Sequence, residues 1–103
     1  MSADDNKGSA QVLRALRMVT CLAAEPLRGL SNKDLAEALH VPPSYITRTA
    51  ESLVEAGWVM KDETTGRFRI AREAARVGIK TMAALDQHEK QLAEVRRNFT
   101  ITD

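Results

Sequence analysis

The chain has 103 residues, of which 44% are apolar and 28% charged, a globular composition that excludes a disordered or collagen-like protein. That length holds one domain with short extensions and one modest core, filled mostly by aliphatic side chains because only Tyr45, Trp58, Phe68 and Phe99 are aromatic. The formal charge is +1, and the seven bases against five acids of residues 41–80 are only a faint mark of a polyanionic partner.

Residues 1–8 read as a disordered lead. From Ser9 the pattern becomes helical, with Val12, Leu13, Leu16, Val19 and Ala23 recurring on one face. Pro26 disfavours the helical region for the residue before it and ends this helix. A short link containing Gly29 follows. Ser31 then opens a second helix as its cap, with Asp34 at the capping-box position and Leu30 and Leu35 at hydrophobic-staple spacing. Leu35 and Leu39 form its apolar stripe.

His40-Val41 makes a tight turn. Pro42 and Pro43 suit the first turn of a third helix, where their missing amides would be unpaired anyway. That helix runs to about Ala56, with Ile46, Thr49, Ala50 and Leu53 inward and Gly57 as terminator. Two helices joined by so short a turn make a helix-turn-helix. The runs Trp58–Lys61 and Arg67–Ile70 flank a polar loop with Gly66 and read as a β-hairpin. On the return strand Phe68 and Ile70 share one face and Arg67 and Arg69 the other. A hairpin directly behind a helix-turn-helix is a wing. From Ala71 to about Asn98 the chain has no proline and is rich in helix formers, which predicts one long helix. Leu85, Leu92 and Phe99 on it are seven apart, but the companion positions are mixed.

The sequence is poor in catalytic signatures. His40 and His88 are far apart, no paired-ligand spacing for a metal occurs, and no glycine loop for a phosphate is present. Cys21 is alone, so it forms no internal disulfide and reads as a small packed hydrophobe. Residues 1–10 lack the apolar core of a signal peptide, and no stretch approaches the roughly 18 apolar residues of a membrane span. These features predict a soluble cytoplasmic protein that is not an enzyme, needs no cofactor and does not engage a membrane.

The run Val12-Leu13-Arg14-Ala15-Leu16-Arg17, then Gly29-Leu30-Ser31 and Leu35-Ala36-Glu37-Ala38-Leu39, resembles the N-terminal winged-helix domain of IclR-type transcriptional regulators. Val41-Pro42-Pro43-Ser44 opening the third helix, Arg48 within it, and Asp62-Glu63-Thr64-Thr65-Gly66-Arg67-Phe68-Arg69-Ile70 continue the likeness. The similarity covers roughly residues 9–80. His40 stands where glycine is common and Tyr45 where a small residue is usual. The family usually carries a large effector-binding domain, whereas this sequence continues into one further helix, so no small-molecule effector is implied.

The expected architecture is mainly α. It comprises a lead over 1–8, a winged helix-turn-helix of three helices and a two-stranded wing over 9–70, and a long C-terminal helix over 71–103 for dimerisation. The expected partner is double-stranded DNA, bound sequence-specifically by a transcriptional regulator. Pro43, Ser44, Thr47, Arg48 and Glu51 on the third helix would face a major groove, with Arg48 donating to a guanine edge, and Tyr45 at the flank of that face would contact the DNA backbone or pack on the scaffold. Arg67 and Arg69 would meet the backbone or minor groove from the wing. The resemblance implies a homodimer through the first and C-terminal helices. Two rival readings are a module that docks on a transcription factor or polymerase, which the near-neutral charge favours, and a sequence-tolerant architectural DNA binder.

Overall fold

The computed structural model describes residues 3–101, with side chains described for 9–100. Its elements follow the order α1 (Ala3–Ala23), α2 (Asn32–Leu39), α3 (Pro43–Glu55), β1 (Val59–Lys61), β2 (Phe68–Ile70) and α4 (Arg72–Ile101). The expected lead over 1–8 lies partly outside the described residues, and α1 begins within it, at Ala3.

The core gathers Met18 and Leu22 of α1, Leu35, Ala36 and Leu39 of α2, Ile46 and Ala50 of α3, and Val59 and Phe68 of the hairpin. On α1 the core-facing residues lie outside the periodic set Val12, Leu13, Leu16, Val19 and Ala23 named from the sequence. Met18 and Leu22 are buried, while Val12 and Leu16 are 60% and 56% exposed. Two apolar stripes run along this helix, and the periodicity alone does not say which one meets the domain's own core.

Local chemistry sets the ends of α2. The Ser31 hydroxyl accepts the Asp34 N–H at 3.0 Å, and the Asp34 carboxylate accepts the Ser31 N–H at 3.1 Å, closing the capping box. At the other end His40 takes the left-handed conformation, φ 58°, which histidine tolerates better than most residues. Pro43 occupies the first turn of α3, where no amide is needed. Thr49 on its inner face is buried, but its hydroxyl donates to the Tyr45 carbonyl at 2.8 Å and is satisfied.

The two strands pair antiparallel, with Val59 opposite Ile70, Met60 opposite Arg69 and Lys61 opposite Phe68. The turn between them is built on Asp62, whose carboxylate accepts the N–H groups of Thr64 and Thr65 at 2.8 and 3.3 Å. A further crossing was not legible in the sequence. Leu30, in the link between α1 and α2, pairs with Phe68 in both directions: its N–H donates to the Phe68 carbonyl at 3.0 Å and its carbonyl accepts the Phe68 N–H at 2.8 Å.

The first turn of α4 is tied down by the Ala71 N–H to the Trp58 carbonyl and the Glu73 N–H to the Gly57 carbonyl. Beyond that it leaves the domain, and every described residue from Ala75 to Thr100 is exposed. The radius of gyration is 19.8 Å, against about 13 Å for a compact chain of this length. No helix among the described residues is long and apolar enough to cross a membrane.

Candidate nucleic-acid interface

The second and third helices, joined through His40-Val41, stand in the helix-turn-helix arrangement, and the hairpin follows as a wing. The face of α3 opposite Ile46 and Ala50 is solvent-facing along its length: Pro43, Ser44, Tyr45, Thr47, Arg48 and Glu51 are all exposed. Arg48 forms no ion pair among the described residues. Its guanidinium, with five donors in a planar fork, can therefore turn outward toward an acceptor-rich surface.

Two residues on that face are already engaged. The Thr47 hydroxyl donates to the Pro43 carbonyl at 3.2 Å and accepts from the Asn32 side-chain amide at 3.0 Å. Tyr45 lies beneath Arg14 of α1, whose guanidinium carbon is 4.6 Å from the ring centroid. Between α1 and α3 runs a groove of about 620 Å³ lined by Arg14, Ala15, Tyr45, Arg48, Thr49 and Leu53. Arg14 thus joins the surface beside α3, a placement that followed from no spacing in the sequence.

The wing differs most from the expectation. Arg67 and Arg69 do lie on the strand face opposite Phe68, but that face is covered by the link between α1 and α2. Arg67 donates from Nε to the Arg28 carbonyl and from Nη2 to the Gly29 carbonyl, both at 3.2 Å, and pairs with Asp34 at 3.4 Å. Arg69 donates to the Leu27 carbonyl at 3.3 Å and lies 4.0 Å from Asp62. Alternation along a strand assigns a face; it does not say what a distant loop lays over it.

Cations without an ion pair among the described residues include Arg28, Lys33 and Lys61, all exposed. Lys33 stands at the second residue of α2, and Lys61 ends β1 with its ammonium 5.9 Å from the Phe68 ring centroid. Of the basic stripe Arg72, Arg76 and Lys80 at the start of α4, Arg76 is paired with Glu73 at 3.5 Å. The two carboxylates near the wing are held below the ordinary carboxylate range. For Asp34 the chief cause is the Ser31 N–H, followed by the Ser31 hydroxyl and the charge of Arg67. For Asp62 it is the N–H groups of Thr64 and Thr65, then Arg69. Among the described residues no cluster of His, Cys, Asp or Glu could hold a metal ion.

These elements define a winged helix-turn-helix domain with a polar, outward-facing third helix. The family model described as the IclR helix-turn-helix domain matches residues 11–63, more than half of the chain, and the chain belongs to that family of DNA-binding transcription regulators rather than to an enzyme family. The crystal structure of Pseudomonas aeruginosa HmgR is similar, with 29% sequence identity and a TM-score of 0.65 over 76% of this chain and 32% of that one. That of an IclR family transcriptional regulator from Brucella abortus shares the fold at 22% identity and a TM-score of 0.62, covering 71% of this chain and 27% of that one. The chain thus spans a third or less of the length of these two proteins. No curated protein matches it.

Proposed function

We propose that the chain is a sequence-specific transcriptional regulator that places the outer face of α3 in the major groove of double-stranded DNA and acts as a homodimer. The observation that carries this reading is the guanidinium of Arg48, without an ion pair among the described residues, on the exposed face of α3 within a winged helix-turn-helix of this family. An arginine there can donate two parallel bonds to the O6 and N7 of a guanine, the commonest specific base contact. Ser44, in the first turn, suits a phosphate because helix N-termini favour anions. Glu51 on the same face suits a cytosine amino group.

The exposed apolar side chains support the dimer. Val12, Leu13 and Leu16 on α1 and Val77, Ile79, Met82, Leu85, Leu92 and Val95 on α4 are all at least half exposed. Leaving so much apolar surface in water is costly, and a symmetric second copy is the commonest cover. A two-fold dimer would present two third helices to half-sites about one DNA turn apart.

Selection from a random duplex library with the intact chain tests the reading. A recovered two-fold sequence is expected. Failure to retain any duplex at low salt would instead favour a domain that docks on another protein, and equal retention of all duplexes an architectural binder.

A further inference from the structure

We propose that Arg67 is a positioning residue, a clamp that fixes the wing on the first turn of α2, and that it does not itself bind a phosphate; this rests on the DNA-binding reading above. Its planar fork reaches three acceptors from two segments: the carbonyls of Arg28 and Gly29 in the link, and the carboxylate of Asp34 in α2. The Asp34 oxygen that meets Arg67 is the same one that accepts the Ser31 N–H in the capping box. One oxygen therefore joins the wing to the cap of α2. The next residue, Asn32, donates to both Pro43 and Thr47 at the start of α3. Wing, first turn of α2 and recognition helix thus form one hydrogen-bonded chain.

The surroundings leave the link little freedom to move away. Leu30 is paired to Phe68 through both backbone groups, and Arg69 adds a bond to the Leu27 carbonyl. Gly29 between them is buried, with φ +70°, and lies so close that a Cβ there would collide with the Phe68 carbonyl and the Arg69 side chain. The Arg67 side chain itself is only 26% exposed. Swinging it out to a phosphate would take the Arg67 donor from the Arg28 and Gly29 carbonyls and from Asp34, which would keep only the Ser31 N–H on that oxygen. The sequence pattern Gly66-Arg67-Phe68 therefore supplies the turn, the clamp and the core residue of the wing in three consecutive positions.

The clamp and the phosphate-ligand readings make opposite predictions for the conservative variant. Arg67→Lys keeps the charge, which serves a phosphate, but loses the planar fork that spans the three acceptors. The clamp requires Arg67→Lys to weaken binding to the selected duplex by about tenfold, close to the effect of Arg67→Ala. Asp34→Asn, which keeps an oxygen for the Ser31 N–H, should weaken it in the same direction, and the double variant should be no worse than the worse single one. If Arg67 were a phosphate ligand, Arg67→Lys would bind nearly as the parent does, and Asp34→Asn would bind more tightly by removing a competing negative charge. Either result overturns the proposal. A DNA-free readout keeps it separate from the function it rests on: amide exchange at Leu30 and Phe68 should speed up in Arg67→Lys and Asp34→Asn while the amides of α3 are unchanged. Unchanged exchange at Leu30 and Phe68 overturns the clamp whether or not the parent binds DNA. A parent that binds no duplex, with faster exchange in the variants, removes the DNA reading alone.

Discussion

The side-chain amide of Asn32 reaches across from α2 to the start of α3, 3.0 Å from the Thr47 hydroxyl and 3.2 Å from the Pro43 carbonyl oxygen. A carbonyl can only accept, so the amide nitrogen must face Pro43, and the Thr47 hydroxyl then spends its proton on that same carbonyl. The Asn32 carbonyl oxygen is left buried without a donor, so the pair is held at some cost in stability. With its proton given to Pro43, the exposed Thr47 has no donor left for a base and can offer only its methyl group and one lone pair.

Thr47 is therefore expected to read DNA by apolar contact with a thymine methyl. Thr47→Val should keep the preference for a thymine and Thr47→Ser should lose it. Replacing that thymine by uracil should cost the parent about 0.8 kcal/mol, the worth of one buried methyl-sized group. Titrations with singly uracil-substituted duplexes check this, and a penalty from Thr47→Val with none from uracil would assign the contact to the hydroxyl.

Gly29→Ala should be among the most destabilising single changes in the chain. Its φ of +70° costs a non-glycine residue about 1–2 kcal/mol, and the collision with Phe68 and Arg69 adds about 1–3 kcal/mol more. Gly66 makes the control, since its φ is +75° but nothing lies within 4 Å of its missing Cβ. Gly66→Asn should be nearly neutral in a thermal melt because asparagine accepts that conformation.

Acid should loosen the wing turn and the cap of α2. Asp34 and Asp62 titrate below the ordinary aspartate range in the folded state, lowered chiefly by backbone N–H groups, then by neighbouring hydroxyls and by Arg67 and Arg69. A depressed folded-state value means that their stabilisation is fully present above the unfolded pKa and is lost as pH falls through the folded one. Unfolding curves collected from neutral pH into the acid range should show this limb, and Asp34→Asn and Asp62→Asn should each flatten it.

Much of this was legible in the sequence because it depends on short spacings. Ser31-x-x-Asp34 encodes its cap, Pro42-Pro43 the start of α3, and Asp62 with Gly66 the wing turn, each within a few residues. The long-range features were not legible. A single-residue crossing such as Leu30 on Phe68 leaves no periodic signal, and nothing near Arg67 in the chain indicates that Arg28, Gly29 and Asp34 will surround it. On α1 the periodicity picked out Val12, Leu13, Leu16, Val19 and Ala23, and only packing shows that Met18 and Leu22 turn inward and Val12 and Leu16 outward.

That outward stripe, with α4, leads to a prediction about assembly. A helix of 30 residues is about 45 Å long, and α4 carries its apolar side chains well beyond the domain. The intact chain should sediment as a dimer, and the chain shortened to end at Lys80 should dissociate at concentrations where the intact one does not. Both sedimenting as monomers would remove the dimer, and with it the expected two-fold symmetry of the bound DNA.

The proposed function turns on Arg48 reading a base from the exposed face of α3. Competition titrations of the parent and Arg48→Ala against the selected duplex and a scrambled one test it most directly. Arg48→Ala should lose about 1–3 kcal/mol on the selected duplex, with little change on the scrambled one. Equal losses on both duplexes, or a parent that does not distinguish them, would contradict it.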